Sequence, residues 1–395
     1  MSLIRIRPDE FSPDRVPVLI EDQLWNGEKY VPTYIHISSL ELGPALGGCR
    51  IAHYEKLSRA MMNAEQLSFG MRSKAALAGV PYGGGKAVLA TDPQEMKDSN
   101  DPRRERLLRN FAAMVNELNG NYITAEDTGT KLKDMDFLAE LTPHVVGTSA
   151  FSGNPSPITA YGIYLGMRAC LKHIGRDSFE GLRLALKGAG SVAEFLVFGF
   201  PKEEKYDPFR EKFPGLAHLG VEVIYYNEKD GNRSDEFKEI ARKQSVAKKI
   251  KRRSQKDLLT KPIDIFVPAA ARYSASISID QLIQAGCKII AGPENNQLEH
   301  PATDLARIHR AGIVYAPDFA INAGGLINVH FGKVAKDSQT PYDLRQALAK
   351  TEDIEATIEK ILQASTQSGM TTLEVAEKMV GDKIGTAILK KTEPT

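Results

Sequence analysis

Two lysines and a run of glycines form the part of the sequence best suited to chemistry. Lys86 follows directly on Gly83–Gly85, and Lys74 lies twelve residues upstream. Three consecutive glycines let a ligand approach the backbone where any Cβ would clash, and they bring the Lys86 amine to that place. Because each of two neighbouring lysines raises the cost of protonating the other, one can act as a neutral base near pH 7 while the other binds a carboxylate.

An acidic group would complete such a site, and Asp127 is the candidate. It lies in the polar segment 124–130, directly after a short apolar stretch at Tyr122 and Ile123. Upstream of the glycines, apolar residues recur at steps of three and four, which predicts a helix from Leu57 to near Gly79 with Lys74 on or beside its apolar face. Taken alone, the glycines also fit a flexible turn, and Lys74 also fits a lysine that extends to solvent at a helix end.

A second unit begins at Leu182, where apolar residues alternate into the sequence Gly-Ala-Gly-Ser-Val-Ala of residues 188–193. A short strand, a glycine turn and a helix N-terminus place backbone N–H groups against a pyrophosphate. The pattern also fits an ordinary strand-to-helix turn, but four further strands follow, each separated by helix-compatible sequence. Alternation of this kind predicts a parallel, doubly wound sheet. The predicted strands are 221–226, 263–267, 288–291 and 313–315.

Three features of this unit are irregular. About forty residues separate Gly188 from the end of the second strand, where the dinucleotide pattern has about twenty, so Pro201–Gly215 is interpreted as a surface insertion. Asn227 closes that strand in place of the carboxylate that usually selects NAD, and Glu228 follows it. The basic run 242–256 could bind a ribose phosphate, although charge runs more often form a solvated helix and loop.

Length and composition limit the classes of function. At 395 residues the chain is long enough for two domains. With 51 basic and 50 acidic residues, the net charge of +1 gives no general attraction to nucleic acid or membrane, so we expect a small-molecule partner. The three cysteines are widely spaced and fit neither a zinc site nor a disulfide framework, and no apolar run reaches eighteen residues. We expect a soluble, cytoplasmic protein without a metal site.

Ordered sequence blocks along most of the chain resemble one known family, the amino acid dehydrogenases that include the leucine, valine, phenylalanine and tryptophan enzymes, with glutamate dehydrogenase a more distant relative. The blocks are GPALGGCR at 43–50, GMRSK at 70–74, GGGK at 83–86, TAED at 124–127, GNPSPITAYG at 153–162, the glycine turn, AGPENNQL at 291–298 and APDFAINAGG at 316–325.

The resemblance implies a role for each matched position. Lys86 would be the catalytic base, Lys74 would hold the substrate carboxylate with the backbone N–H groups of Gly47 and Gly48, and Asp127 would relay protons and engage the amine. Thr159 would contact the nicotinamide amide, and Asn295, Asn296 and Asn322 would position the nicotinamide ring and the substrate. The pyrophosphate would lie on Gly188, Ala189, Gly190, Ser191 and Val192. The other predicted cofactor contacts are Asn227, Ala269 and Ala270. Asn322 would also contact the substrate, between the two domains.

The residues implied to line the side-chain pocket are all apolar: Leu46, Ala125, Leu326 and Val329. The resemblance therefore implies NAD-dependent oxidative deamination of a hydrophobic L-amino acid, with a leucine-like substrate favoured. Aromatic or acidic substrates and NADP remain alternatives, because one or two methylenes change discrimination by only about 1–3 kcal/mol. A nucleotide-sensing protein without activity would have lost Lys74, Lys86 or Asp127. Two departures from the family are Cys49 for threonine and Arg272 for glycine.

The expected fold is α/β with two domains. Residues 1–152 are predicted to form a mixed-sheet substrate domain, and residues 153–340 a Rossmann-type dinucleotide-binding domain. A long apolar stripe follows from Leu344, and Thr371 to Glu374 reads as a capping box that starts a last helix. We expect residues 341–395 to return and pack on the first domain. The family resemblance implies a homo-oligomer.

Overall fold

Two six-stranded sheets organise the residues that the computed structural model describes, namely 5–270, 278–298 and 300–392. They lie in separate units. The first unit takes up the chain as far as Asn154, then Leu326–Asp343 and the end of the chain from Val380. The second unit comprises Pro155–Gly325 and Leu344–Met379. The predicted α/β class is confirmed.

The first sheet is mixed, and it buries apolar side chains on both faces. One face packs on helix α1 through residues such as Leu19 and Val88, and the other packs on α2 through Ile35 and Phe111. The strand order is β1-β2-β3-β5-β4-β6, antiparallel from β2 to β5 and parallel from β5 to β6. The elements are β1 (Arg5–Ile6), β2 (Val18–Trp25), β3 (Tyr30–Ser39), β4 (Ala45–Ile51), α1 (Leu57–Ala78), β5 (Gly83–Leu89), α2 (Pro102–Glu117), β6 (Tyr122–Glu126) and α3 (Leu132–Leu141).

Helix α1 confirms the predicted helix before the glycines. It ends at Gly79, whose φ of +65° is left-handed, and the Gly79 N–H donates to the carbonyls of Ala75 and Ala76. The predicted apolar stripe was wrong at its first residue, because Leu57 is 44% exposed. The helix turns its small residues to the sheet instead, among them Ala60, Ala64, Ala75 and Ala76.

The second sheet is parallel throughout, with the order β12-β11-β10-β7-β8-β9. Each strand predicted in this unit is present, although each begins one or two residues later than predicted, and β8 and β10 end one residue later. The elements are α4 (Ser156–His173), β7 (Arg183–Lys187), α5 (Ser191–Phe198), β8 (Val223–Asn227), α6 (Gly231–Lys243), β9 (Ile250–Arg252), β10 (Ile265–Pro268), α7 (Ile279–Gln284), β11 (Ile289–Ile290), α8 (Pro301–Arg310), β12 (Val314–Tyr315) and α9 (Asp318–Ile321).

Strand β9 and the segment 201–215 correct two interpretations of the sequence. Part of the basic run is an edge strand, with Ile250 paired to Ile224 on β8, and edge strands tolerate charged residues because one side of the backbone stays in solvent. The segment 201–215 is more than a surface excursion. Tyr206 and Phe213 are buried, and Phe213 lies 5.0 Å from the ring of Tyr164 on α4.

The C-terminal helices are α10 (Gly324–Ser338), α11 (Leu344–Ser368) and α12 (Thr372–Thr392). The prediction that residues 341–395 all return to the first domain is wrong for α11, which packs on α4 in the second unit. Gly162 on α4 permits this contact, because an added Cβ would lie 2.6 Å from Ile354 Cδ1. The capping box is confirmed, since the Thr371 N–H donates to Glu374 Oε2 at 2.8 Å and the Glu374 N–H to Thr371 Oγ1 at 3.3 Å.

The predicted span 153–340 also extends beyond the second unit, because Leu326–Asp343 lies in the first. Most of α10 is therefore held by the first unit. Lys336 Nζ donates to the Pro143 carbonyl at 3.0 Å, and Asn328 Nδ2 donates to the Ser152 carbonyl at 3.3 Å. Among the helices of the described residues, none is both long and apolar enough to cross a membrane.

Candidate active site

The glycines before Lys86 are buried in strand β5, and the protein itself occupies the space beside them. An added Cβ would lie 2.8 Å from the Tyr122 ring at Gly85, and it would overlap Ser38 Oγ and the Ser68 carbonyl at Gly84. The sequence predicted that these glycines let a ligand approach the backbone. In the structure they let the neighbouring strands and helix α1 pack closely against β5.

Lys86 and Asp127 form an ion pair between Nζ and Oδ2. The Lys86 side chain is 7% exposed and that of Asp127 is 19% exposed. Asp127 follows the end of β6, where a local turn holds it: its N–H donates to Thr130 Oγ1 at 2.9 Å. The pairing predicted from sequence is therefore present in the first unit.

A second cation, Arg50 on β4, contacts the same carboxylate. Its Nε donates to Asp127 Oδ2 at 3.0 Å and its Nη2 approaches Oδ1 at 3.4 Å. The Arg50 Nη1 donates to Asn63 Oδ1 at 3.0 Å, and the Tyr54 hydroxyl donates to the same oxygen at 2.8 Å. The Asp127 carboxylate thus contacts both Lys86 and Arg50, and Asn63 holds the Arg50 guanidinium through its Nη1.

Burial and charge shift the pKa values of this cluster in opposite directions. Burial lowers the pKa of Lys86 from its ordinary value, Asp127 acts against this, and Arg50 lowers it further. Burial alone would raise the pKa of Asp127, but Lys86 and Arg50 hold it well below its usual range. The carboxylate therefore stays ionised, while the lysine loses its proton more readily than a lysine in water.

Gly48 on β4 lies against the ion pair. An added Cβ at Gly48 would come within 2.7 Å of Asp127 Cβ and 3.3 Å of Lys86 Nζ. At neighbouring Gly47 it would overlap the Gly85 carbonyl, and the Gly47 carbonyl accepts a hydrogen bond from the Tyr122 hydroxyl at 2.7 Å. Lys74 is partly buried on α1, the helix that packs on β5.

The four positions implied to line a side-chain pocket are buried in the first unit. Leu46 and Ala125 lie on adjacent strands, where Ala125 pairs with Gly48 in the register of β4 and β6. Leu326 and Val329 lie on α10, and Val329 Cγ1 is 3.4 Å from the place of a Cβ on Gly147. That they contact a substrate stays a prediction.

In the second unit, a tight glycine turn joins β7 to helix α5. Gly188 has a φ of +104°, and an added Cβ would lie 2.6 Å from the Ala269 carbonyl and 2.9 Å from the Ala270 nitrogen. Within the described residues, the space beside Gly190 is open to 4 Å. Ser191 and Val192 then begin helix α5, so its N-terminus faces the turn.

A carboxylate accompanies this turn. Glu228 Oε2 accepts a hydrogen bond from the Ala189 N–H at 2.9 Å, and it follows Asn227, whose carbonyl accepts from the Gly188 N–H at 2.8 Å. Asn227 itself donates from Nδ2 to the Arg253 carbonyl at 3.1 Å. Glu228, and not Asn227, therefore supplies the acidic group beside the turn.

Three asparagines and a threonine predicted to contact the cofactor also lie in the second unit. Asn322 Nδ2 donates to the Pro293 carbonyl at 3.0 Å and to Asn295 Oδ1 at 2.9 Å. Its buried Oδ1 has no hydrogen-bond partner among the described residues, so it can accept one from a bound amide. The Asn296 N–H donates to Asp318 Oδ2, and the Thr159 hydroxyl donates to the Pro155 carbonyl at 2.9 Å. These residues fit a nicotinamide dinucleotide.

The contact of Arg50 with Asp127 is not predicted from the sequence, although Arg50 lies in the matched block 43–50. The contacts of Asn63 with Arg50 and Tyr54 are not predicted either. Strand alternation was the available signal, because Arg50 is two residues from Gly48 and therefore on the same face of β4. Ala271 and Arg272 lie outside the described residues. Arg272 is one of the two departures from the family. No group of three potential metal-ligating side chains occurs in the described part of the chain.

Two family models match the chain. Residues 18–144 match the model of the Glu/Leu/Phe/Val dehydrogenase dimerisation domain, and residues 154–390 match that of Glutamate/Leucine/Phenylalanine/Valine dehydrogenase. Leucine dehydrogenase of Bacillus subtilis (strain 168) is 38% identical over 359 residues, covering 89% of this chain and 86% of the relative.

Two solved structures are similar in fold. The crystal structure of L-tryptophan dehydrogenase from Nostoc punctiforme has a TM-score of 0.67 at 28% identity, with 90% of this chain and 93% of that one covered. A hetero-hexameric glutamate dehydrogenase from Thermus thermophilus has a TM-score of 0.73 at 18% identity, with 95% and 90% covered.

The chain belongs to the Glu/Leu/Phe/Val dehydrogenase family. It is therefore an amino acid dehydrogenase, an oxidoreductase that uses a nicotinamide dinucleotide.

Proposed function

We propose that the protein catalyses the NAD-dependent oxidative deamination of a hydrophobic L-amino acid, with leucine-like substrates favoured, to the 2-oxo acid and ammonia, and the reverse reductive amination. The observation that carries this proposal is the buried Lys86 amine on an ionised Asp127. Burial lowers the pKa of Lys86 beside this fixed carboxylate, so the amine gives up its proton more readily than a lysine in water, as a general base must.

The residues of the first unit divide the work of the reaction. Lys74 and the backbone N–H groups of Gly47 and Gly48 hold the substrate carboxylate. When bound, a nicotinamide dinucleotide would supply the acceptor for the hydride of the substrate Cα. Neutral Lys86 takes a proton from the water that attacks the resulting imine carbon, and Asp127 orients the amine and relays protons.

The residues of the second unit bind and orient the cofactor. In this scheme the turn from Gly188 to Val192 takes the pyrophosphate, while Ala269 and Ala270 shape the turn from beneath. Thr159 and Asn322 accept hydrogen bonds from the nicotinamide amide, since the Thr159 proton is already used on Pro155 and the Asn322 amide protons on Pro293 and Asn295. Asn295 and Asn296 hold the loop that carries these contacts.

The preference for a hydrophobic substrate rests on Leu46, Ala125, Leu326 and Val329. These side chains carry no charge to pair with a second carboxylate, which disfavours a glutamate-like substrate. The sequence similarity to leucine dehydrogenase supports the same choice. An aromatic substrate is the second candidate, because an L-tryptophan dehydrogenase is among the relatives, at 30% identity over 92% of this chain.

Glu228 supports NAD over NADP. Its carboxylate lies at the glycine turn, where it can accept hydrogen bonds from the ribose hydroxyls and would repel a 2′-phosphate. We also propose a homo-oligomer, because the model matched by residues 18–144 describes a dimerisation domain. Light scattering on the purified protein measures its mass.

The test of the function is formation of reduced nicotinamide by the purified protein at mildly alkaline pH, across L-amino acids with NAD and then with NADP. The highest kcat/KM is expected with leucine and NAD. A preference for phenylalanine or tryptophan would overturn the substrate proposal, and absence of turnover with every pair would overturn the function.

Lys86→Ala tests the assigned base. It should abolish turnover and leave NAD binding intact, because the cofactor residues lie in the second unit. Lys131→Ala is the matched control, since Lys131 is an exposed lysine of the same unit. A Lys86→Ala protein with a near-normal rate would remove Lys86 from the mechanism.

A further inference from the structure

We propose that Arg50 is a positioning residue that makes Lys86 usable as a base, and that Asn63 and Tyr54 act on the same step by holding Arg50. This inference rests on the proposed function and deepens it, because it explains how a lysine that is paired with a carboxylate can still work without its proton.

The first step concerns geometry. Arg50 lies on β4 and contacts both oxygens of Asp127, with Nε 3.0 Å from Oδ2 and Nη2 3.4 Å from Oδ1. The Lys86 amine contacts Oδ2 as well. Two-point contact fixes the plane of the carboxylate, so Asp127 keeps its orientation whether or not Lys86 carries a proton.

The second step concerns the anchor of Arg50. The carbonyl oxygen of Asn63, a buried residue of α1, accepts hydrogen bonds from Arg50 Nη1 at 3.0 Å and from the Tyr54 hydroxyl at 2.8 Å. An amide oxygen has two lone pairs, and here both are used. The guanidinium is therefore held from the side opposite Asp127.

The third step concerns charge. If Asp127 had Lys86 as its sole cation, loss of the lysine proton would leave a carboxylate uncompensated in a mostly buried place, which is costly. With Arg50 present, the same proton loss leaves a neutral Arg50–Asp127 pair. The protonated state instead carries a net charge of +1 on the three groups. Arg50 therefore moves the balance toward neutral Lys86, and it does so without touching the lysine.

Two other titratable groups near Lys86, Cys49 and His36, do not supply this effect, because both are uncharged at neutral pH. Burial raises the pKa of the Cys49 thiol on β4, which keeps the thiol neutral. His36 is the partner of Lys86 across the β3–β5 register, and burial lowers its pKa to about 4, so its imidazole is uncharged at neutral pH. Lys74 on α1 has the same sign of charge as Arg50, and it is unchanged in the Arg50 variants, so their comparison with wild type isolates the effect of Arg50.

The kinetic experiment compares the pH dependence of kcat/KM for deamination in wild type, Arg50→Met and Arg50→Lys. For Arg50→Met, the acid limb should move to higher pH, with a loss on the order of tenfold or more at neutral pH that is recovered as the pH rises. Arg50→Lys keeps the charge but not the two-point contact, so its acid limb should lie between those of wild type and Arg50→Met.

Arg183→Met is the matched control. Arg183 contacts Asp264 in the second unit with nearly the same geometry, at 3.1 Å from Nε and 3.4 Å from Nη2. Its replacement should leave the acid limb where it is in wild type. Asn63→Ala provides a milder perturbation if Arg50→Met does not fold, and it should move the limb in the same direction by a smaller amount. An unmoved limb in every folded variant overturns the proposal.

A second readout does not depend on turnover. The Lys86 side chain can be titrated by NMR in lysine-labelled protein and assigned by its absence in Lys86→Arg. The titration should move to higher pH in Arg50→Met and not in Arg183→Met. If wild type turns over no amino acid but this shift occurs, the proposed function fails, while the effect of Arg50 on the proton equilibrium of Lys86 stands. If wild type is active but neither the Lys86 titration nor the acid limb moves in Arg50→Met, the role of Arg50 is wrong and the proposed function is unaffected.

Discussion

Arg104 and Asp134 form a buried ion pair that joins helix α2 to helix α3. Arg104 Nε lies 2.8 Å from Asp134 Oδ1, and Nη2 lies 2.6 Å from Oδ2. The exposed fractions of the two side chains are 1% and 2%. Arg104 Nη2 also donates to the Gly129 carbonyl at 2.8 Å, so the same guanidinium braces the loop that carries Asp127.

Arg104→Met should therefore be strongly destabilising. It leaves the Asp134 carboxylate buried without its cation, and breaking a buried pair from one side costs about 3–5 kcal/mol in the free energy of unfolding. Arg109→Met is the control on the same helix, because Arg109 and Glu105 form an exposed pair worth about 0.3–0.5 kcal/mol. Denaturant unfolding of both variants measures the difference. Equal effects would contradict the structural role of the buried pair.

Gly48→Ala should disrupt catalysis. The new Cβ would lie 2.8 Å from the Glu126 carbonyl and 2.7 Å from Asp127 Cβ, and the backbone carbonyl cannot move away cheaply. Displacing Asp127 by as little as 1 Å can cost about 10²-fold in rate. Gly70→Ala is the control, since no described atom beyond its chain neighbours and its own helix backbone lies within 4 Å of its Cβ position, and alanine favours a helix. Steady-state kinetics on leucine compare the two, and normal activity of Gly48→Ala would contradict the observed packing.

The sequence predicted the elements with strong local patterns and missed what depends on tertiary partners. Residue chemistry alone predicts the pairing of Lys86 with Asp127. The apolar runs predict the strands around the glycine turn. Strand β9 was missed because Ile250–Arg252 is short and charged. The stripe of α11 showed that one face is buried, but not against which unit. Gly162 and Gly166 on α4 were the available signal, since adjacent glycines on a helix face permit close packing.

Glu228→Ser should relax the cofactor preference. The carboxylate at the Ala189 N–H repels a 2′-phosphate, and its removal leaves Arg252, whose Nη2 donates to the Glu228 carbonyl at 2.9 Å, as the nearby charge. The ratio of kcat/KM with NADP to that with NAD should rise by about tenfold or more. Glu222→Ser, an exposed acid just before β8, is the control. A ratio that moves equally in both variants would assign the effect to net charge instead of to this position.

Val329→Ala should shift the preference toward larger side chains. Val329 is buried on α10 with Cγ1 near Gly147, and removing its two methyl groups enlarges the space that the proposed pocket offers. Because one methylene in a hydrophobic pocket is worth about 1–3 kcal/mol, the ratio of kcat/KM for phenylalanine to that for leucine should rise about tenfold. Val334→Ala is the control on the same helix, because Val334 is 41% exposed. If both variants keep the wild-type ratio and fold normally, Val329 does not contact the substrate, and the pocket must be lined by other residues.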